Sequence, residues 1–118
     1  MTTKNTNSTR FYSYSQENSV AEALGGKVQP NSGATNFKKL DVIVESVSLG
    51  IECKTCVEEK KSFTIKKEWL EKNKLEAFEM RLDNHCIAFN FGPKQKNYYI
   101  IDENLMKFLV EKLEEENE

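Results

Sequence analysis

Leu40-Asp41-Val42-Ile43-Val44-Glu45 and Leu49-Gly50-Ile51-Glu52-Cys53-Lys54-Thr55 are the two stretches on which the fold turns. Both are short and rich in β-branched and apolar residues, the composition of strands. Only Ser46-Val47-Ser48 separates them. A parallel crossover needs a dozen residues or more, so the simplest connection is an antiparallel hairpin. Side chains alternate between the faces of a strand, which puts Ile51, Cys53 and Thr55 on one side and Glu52 and Lys54 on the other. Ile51 and Cys53 suit a core. Glu52 and Lys54, with Cα atoms roughly 7 Å apart, emerge together on the opposite face.

If the hairpin pairs in this way, Asp41 lies near Glu52. Two carboxylates on an otherwise hydrophobic hairpin repel one another and are costly to hold unless positive charge sits between them. A divalent cation together with the Lys54 ammonium would satisfy both. Magnesium is the natural candidate, since it takes oxygen ligands and keeps several waters. Glu-x-Lys on an exposed strand is also the pattern of an ordinary, weakly stabilising ion pair. The local pattern leaves both readings open.

Outward from the hairpin, residues 1–12 are rich in Thr, Asn and Ser without periodicity and read as a disordered arm. Ser15 can cap a helix starting at Gln16, with Val20, Ala21 and Leu24 on one face and Gly25-Gly26 ending it. Residues 27–30 are extended and Asn31-Ser32-Gly33 is a turn. After the hairpin, Glu58-Glu59-Lys60-Lys61 forms a charged loop. Thr64 can cap a helix reaching about Arg81, with Trp69, Leu70, Ala77 and Phe78 as its buried stripe. Ile87-Ala88-Phe89-Asn90-Phe91 and Tyr98-Tyr99-Ile100-Ile101 read as strands around a turn at residues 92–96, and His85 falls in the turn before the first of them. Asp102 caps a last helix carrying Leu105, Leu109 and Leu113 on one face. The order is helix, three strands, helix, two strands, helix, which predicts one α/β domain over residues 13–113, followed by an acidic tail at 114–118.

A chain of 118 residues accommodates one such domain and not two. No window approaches the roughly 18 apolar residues that span a bilayer, and the first residues lack the apolar stretch of a secretory signal. The expected location is the cytoplasm, away from membranes. The net charge of −2 does not announce a nucleic-acid binder, but it hides an asymmetry. Lysines crowd the stretch from Lys38 to Lys74, and acids crowd the end of the chain. A phosphate-binding face needs only local positive potential. Cys53 and Cys56 form a C-x-x-C spacing, with Cys86 the third cysteine. Zinc would need about four ligands, and a redox pair would open a helix and not lie in a strand, so buried or half-buried thiols are expected.

Asp41, a short hairpin, then Glu52-Cys53-Lys54 resembles the D…(D/E)-x-K signature of the PD-(D/E)XK nuclease superfamily. Glu17 on the upstream helix matches the acidic helix residue that many members supply, and the order of elements matches that superfamily's helix, three strands, helix, strand core. Within it the chain is most similar to small archaeal and phage-type Holliday junction resolvases. The resemblance is carried by Gln16-Glu17, the Pro30-Asn31-Ser32-Gly33 loop, Asp41 and Glu52-Cys53-Lys54, and it spans residues 13–101. Leu40 departs from the pattern, since Pro or Gly often precedes the first acid.

The resemblance implies a restriction-endonuclease-like domain, a mixed sheet of about five strands flanked by helices. It implies that Asp41, Glu52 and the Cys53 carbonyl bind Mg²⁺, with Mn²⁺ a possible substitute, that Glu17 ligates directly or through water, and that Lys54 positions or deprotonates the attacking water. Lys38, Lys39, Lys60, Lys61, Lys66 and Lys67, with Asn31 and Ser32, would hold DNA phosphates. Symmetrical cutting of a branched junction needs two equivalent sites, hence a homodimer, to which Phe89, Phe91, Tyr98 and Tyr99 could contribute where they are not core. Another nuclease of the same superfamily, or a DNA-binding module without catalysis, are the competing readings.

Overall fold

The computed structural model describes residues 9–30 and 40–118. Its elements run α1 (Thr9–Leu24), β1 (Lys27–Val28), β2 (Val42–Val44), a 3-10 turn (Glu45–Val47), β3 (Leu49–Lys54), α2 (Lys67–Glu79), β4 (Asn84–Phe89), β5 (Tyr98–Ile100) and α3 (Glu103–Glu116). The strands form one five-stranded sheet in the order β1-β2-β3-β4-β5. β2 and β3 pair antiparallel, as the short connection predicts, with Ser48 in the left-handed conformation (φ 53°) closing the turn. β3 and β4 are parallel because α2 provides the crossover between them, and β5 returns antiparallel. The fold is α/β with a mixed sheet.

The alternation on β3 decides what each face meets. Ile51 points into the main core, where Val20 of α1 packs with Val42, Val44, Ile51, Cys86 and Ala88. Gly50 lies on the other face, and a Cβ there would collide with Leu40 Cδ1 and stand 3.0 Å from Leu82 Cδ1. Leu40, only 1% exposed, therefore closes over a glycine, which is the physical reason an apolar residue precedes Asp41. α1 covers the Ile51 face and α2 covers the Glu52–Lys54 face.

Several local expectations change. α1 begins at Thr9 and not at Gln16, so residues 9–12 are helix and not part of an irregular arm; no Gly or Pro interrupts them, and each added residue gains a hydrogen bond. α2 begins at Lys67, preceded by an extended Lys66 without a side-chain cap, so Thr64 does not start it. Its inward residues are Asn73 and Ala77, with Trp69 half-buried one turn earlier, while Leu70 and Phe78 lie about 100° further round and are exposed. His85 sits in β4 and not in a turn, because the parallel ladder extends to Leu49↔Asn84. Asp102 does cap α3, accepting from Leu105 N–H at 3.0 Å, and that helix runs through residues 114–116 of the expected tail. Among the described residues no helix is long and apolar enough to cross a membrane.

Ile51→Ala removes a fully buried side chain and should lower unfolding free energy by about 2–5 kcal/mol in denaturant titrations, whereas Leu70→Ala on the exposed side of α2 should change it by less than about 1 kcal/mol.

Candidate active site

The register of the hairpin places the acids. Val44 pairs with Leu49, Ile43 with Gly50 and Val42 with Ile51. The pairing ends at Val42↔Ile51: Asp41 N–H donates to the Ile51 carbonyl at 3.0 Å, one residue out of that register, so Asp41 and Val42 both face Ile51 as in a β-bulge, and Glu52 is the next residue along β3. β2 ends here, and the Asp41 side chain takes over from the strand: its Oδ2 accepts the Cys53 N–H at 2.8 Å. A residue's N–H and C=O point to the same edge of a strand, so the Cys53 carbonyl faces the Asp41 edge too.

Glu52 is half-buried beneath α2. Burial, reinforced by the Asp41 carboxylate, pushes its carboxyl up from the ordinary 4.5 to about 7; Glu76 of α2 adds to this, while Lys54 and Lys72 pull part of the way back. Lys54 Nζ stands 3.7 Å from Glu52 Oε2 and 4.4 Å from the centre of the Trp69 ring. The ammonium is thus held between a carboxylate and an indole face, a cation–π arrangement that fixes its position. The site has more acid than its neighbouring ammonium neutralises.

Glu17 arrives from α1, on the other side of the sheet. It is 8% exposed, and its charge helps to raise the Cys53 thiol, after burial and Asp41. Its neighbour Gln16, also buried, donates from Nε2 to the Lys54 carbonyl at 2.9 Å and to Asn97 Oδ1 at 3.2 Å. Thr55 Oγ1 donates to Asn90 Oδ1 at 2.6 Å, and Asn90 Nδ2 donates to Asn97 Oδ1 at 3.3 Å. This amide network pins the end of β3 just past Lys54. Among the described residues no group of three or more His, Cys, Asp or Glu side chains is arranged to hold a metal ion. The oxygen donors at this end of the hairpin are the carboxylates of Asp41 and Glu52 and the Cys53 carbonyl.

Lys60, Lys61, Lys66 and Lys67 are all exposed. Lys66 lies within 5.8 Å of the Trp69 ring that Lys54 also faces, so the positive N-terminal end of α2 adjoins the site. Asn31, Ser32, Lys38 and Lys39 lie outside the described residues. Phe89 and Phe91 are half-buried and cluster with Phe63 and Tyr98 at ring separations of 5.1 to 5.8 Å, whereas Tyr98 and Tyr99 are more exposed. The three cysteines are free, and burial pushes the Cys86 thiol up to about 12 and raises Cys53 as well, which leaves both inert as nucleophiles. Glu76, Trp69, Asn90 and Asn97 lie outside the motif, whereas Gln16 belongs to the Gln16-Glu17 pair that carries the resemblance. Of the four outside it, only Trp69 and Glu76 carry a sequence signal, a spacing of seven that places both on one side of α2.

No family model, no curated protein and no solved structure matches the chain.

A carboxyl raised in the folded state contributes stability that is fully present below its ordinary value near 4.5 and is lost as pH rises through about 7. Each unit of displacement corresponds to about 1.4 kcal/mol, so in the absence of divalent ions the wild type should lose up to about 3 kcal/mol relative to Glu52→Gln between those pH values, read by denaturant unfolding at each pH.

Proposed function

We propose that this chain is a magnesium-dependent endonuclease that hydrolyses DNA phosphodiester bonds and prefers branched, four-way structures to linear duplex. The observation that carries the reading is the nearness of Asp41 and Glu52 at the end of the β2–β3 hairpin, where the Asp41 carboxylate accepts the Cys53 N–H and helps burial to drive Glu52 to about 7, with Lys54 only 3.7 Å from Glu52. A binding module gains nothing from two acids facing phosphate, since they repel it. The resemblance of Asp41 and Glu52-Cys53-Lys54 to the PD-(D/E)XK signature, and the matching order of helix, three strands, helix and strand, point the same way.

Asp41, Glu52 and the Cys53 carbonyl would hold the cation, and Glu17, from the α1 side, would join through a bridging water. When bound, magnesium supplies Lewis-acid polarisation of the phosphodiester and lowers the pKa of a water. The chain's own part is positional. Asp41 is oriented by the Cys53 N–H, which donates to its Oδ2. Lys54, steadied by Trp69, offers Nζ to the oxygens on which negative charge gathers and orients the attacking water. Lys60, Lys61, Lys66 and Lys67, with Lys38, Lys39, Asn31 and Ser32, would grip phosphates on either side. Backbone contacts of that kind read shape and not base sequence. Two cuts across a junction need two such sites, and hence a homodimer.

Asp41→Asn and Glu52→Gln should each reduce cleavage of an immobile four-way junction by about 100-fold or more while leaving junction binding intact or tighter. Magnesium should raise the melting temperature of the wild type and not that of the variant carrying both Asp41→Asn and Glu52→Gln. Cleavage retained in both single variants would overturn the assignment of these acids, and equal rates on junction and linear duplex would overturn the preference for branched DNA. Binding without cleavage by the wild type would leave a DNA-binding module in its place.

A further inference from the structure

α3 is a 14-residue helix with no buried residue. Yet its sequence is amphipathic: Leu105, Leu109 and Leu113 recur every fourth position, with Met106 and Val110 beside them on the same side. Leu105 is half-buried against the body, whereas Leu109, Val110, Met106 and Leu113 are 42 to 64% exposed. Helices of this length are marginal in water without a packed face. What ties α3 to the domain is its start, where Asp102 caps it and stands 3.7 Å from His85 Nε2. Next to it, between α2 and α3, runs a groove of about 350 Å³ walled by Phe78, Leu82, Leu105 and Phe108. Phe78, at 78% exposed, extends the apolar surface on to α2. A continuous apolar face of this kind marks an interaction surface.

We infer that this face pairs with the same face of a second copy, α3 against α3 in antiparallel orientation. The charges select that occupant. Lys107 and Glu114 are seven residues apart and therefore lie on one stripe bordering the apolar face. Antiparallel pairing about a two-fold axis sets Lys107 of each copy opposite Glu114 of the other, making the contact twice. Parallel pairing would instead stack Glu114, Glu115 and Glu116 on their equivalents, where like charges repel. Antiparallel pairing of identical faces is self-complementary and closes at two copies.

The groove is at the Asn84–His85 end of β4, and Lys54 pairs with Phe89 at the other end, so covering α3 leaves the candidate site open. This inference gives a surface to the homodimer proposed above, but it stands on the pattern of α3 and does not depend on catalysis.

Sedimentation equilibrium of the full chain should give twice the 13.6 kDa chain mass at micromolar concentration. Leu109→Glu with Leu113→Glu should give the monomer mass, with an unchanged circular dichroism spectrum in the strand region. Lys107→Glu alone and Glu114→Lys alone should each weaken the dimer by about tenfold. Combining the two should restore it, because the contact is then remade with its charges exchanged. A wild type that stays monomeric to about millimolar concentration, or a dimer indifferent to both leucine substitutions, would overturn the proposal; so would failure of the exchanged pair to recover affinity. Glu52→Gln should leave the mass unchanged, so loss of cleavage and loss of dimer are read separately.

Discussion

The proposed active site depends on one constraint, the break in the β2–β3 ladder at Asp41 that brings its carboxylate to the Cys53 N–H beside Glu52. A shift of one residue in the β2–β3 pairing would carry Asp41 away from the Cys53 N–H. Two features resist it. Val42, Val44 and Ile51 are buried together under α1, and a slip would expose all three. At the other end, the Asp41 carboxylate accepts the Cys53 N–H in place of a strand partner, so the acid itself closes the ladder. The residue that the chemistry would use is thus also the one that ends the pairing.

The rest of the sheet determines what surrounds the two acids. Because β4 runs parallel to β3, α2 must cross over the Glu52–Lys54 face, and it brings Trp69 on to Lys54 and Glu76 towards Glu52. Leu40 and Leu82 close over Gly50 beneath them. The result is a half-buried carboxyl beside other acids with one ammonium close by, an arrangement that destabilises the domain at neutral pH. Natural proteins accept such local penalties where a site needs them, and a bound cation would remove this one.

Much of this was legible in the sequence. The hairpin could be read because its alternation separates Ile51 and Cys53 from Glu52 and Lys54, and strand alternation survives in the folded sheet. Asp102 could be read as a cap because its side chain acts within its own turn. Features set by tertiary contact could not be read. Polar Asn84 and His85 carry no strand signal, and they join β4 only because β3 offers them a parallel partner. Trp69 and Glu76 belong to the site through the placing of α2, which periodicity does not give. The apolar spacing of α2 also points one position away, to Leu70 and Phe78, since two apolar stripes compete on that helix and only contact with the sheet chooses between them. Likewise the apolar stripe of α3 was visible, but periodicity tells which face is apolar and not what covers it. Asn31, Ser32, Lys38 and Lys39, read as phosphate contacts, lie outside the described residues.

The central claim is that Asp41, Glu52 and the Cys53 carbonyl converge on a single divalent cation. Paramagnetic broadening by substoichiometric Mn²⁺ in amide-resolved NMR tests it most directly, because the effect falls steeply with distance from the ion. The account predicts that the amides of residues 41 and 52–54 broaden first, and that Glu52→Gln together with Asp41→Asn abolishes this at the same Mn²⁺ concentration. Broadening centred on the acidic residues 114–118, with residues 41 and 52–54 untouched, would contradict it.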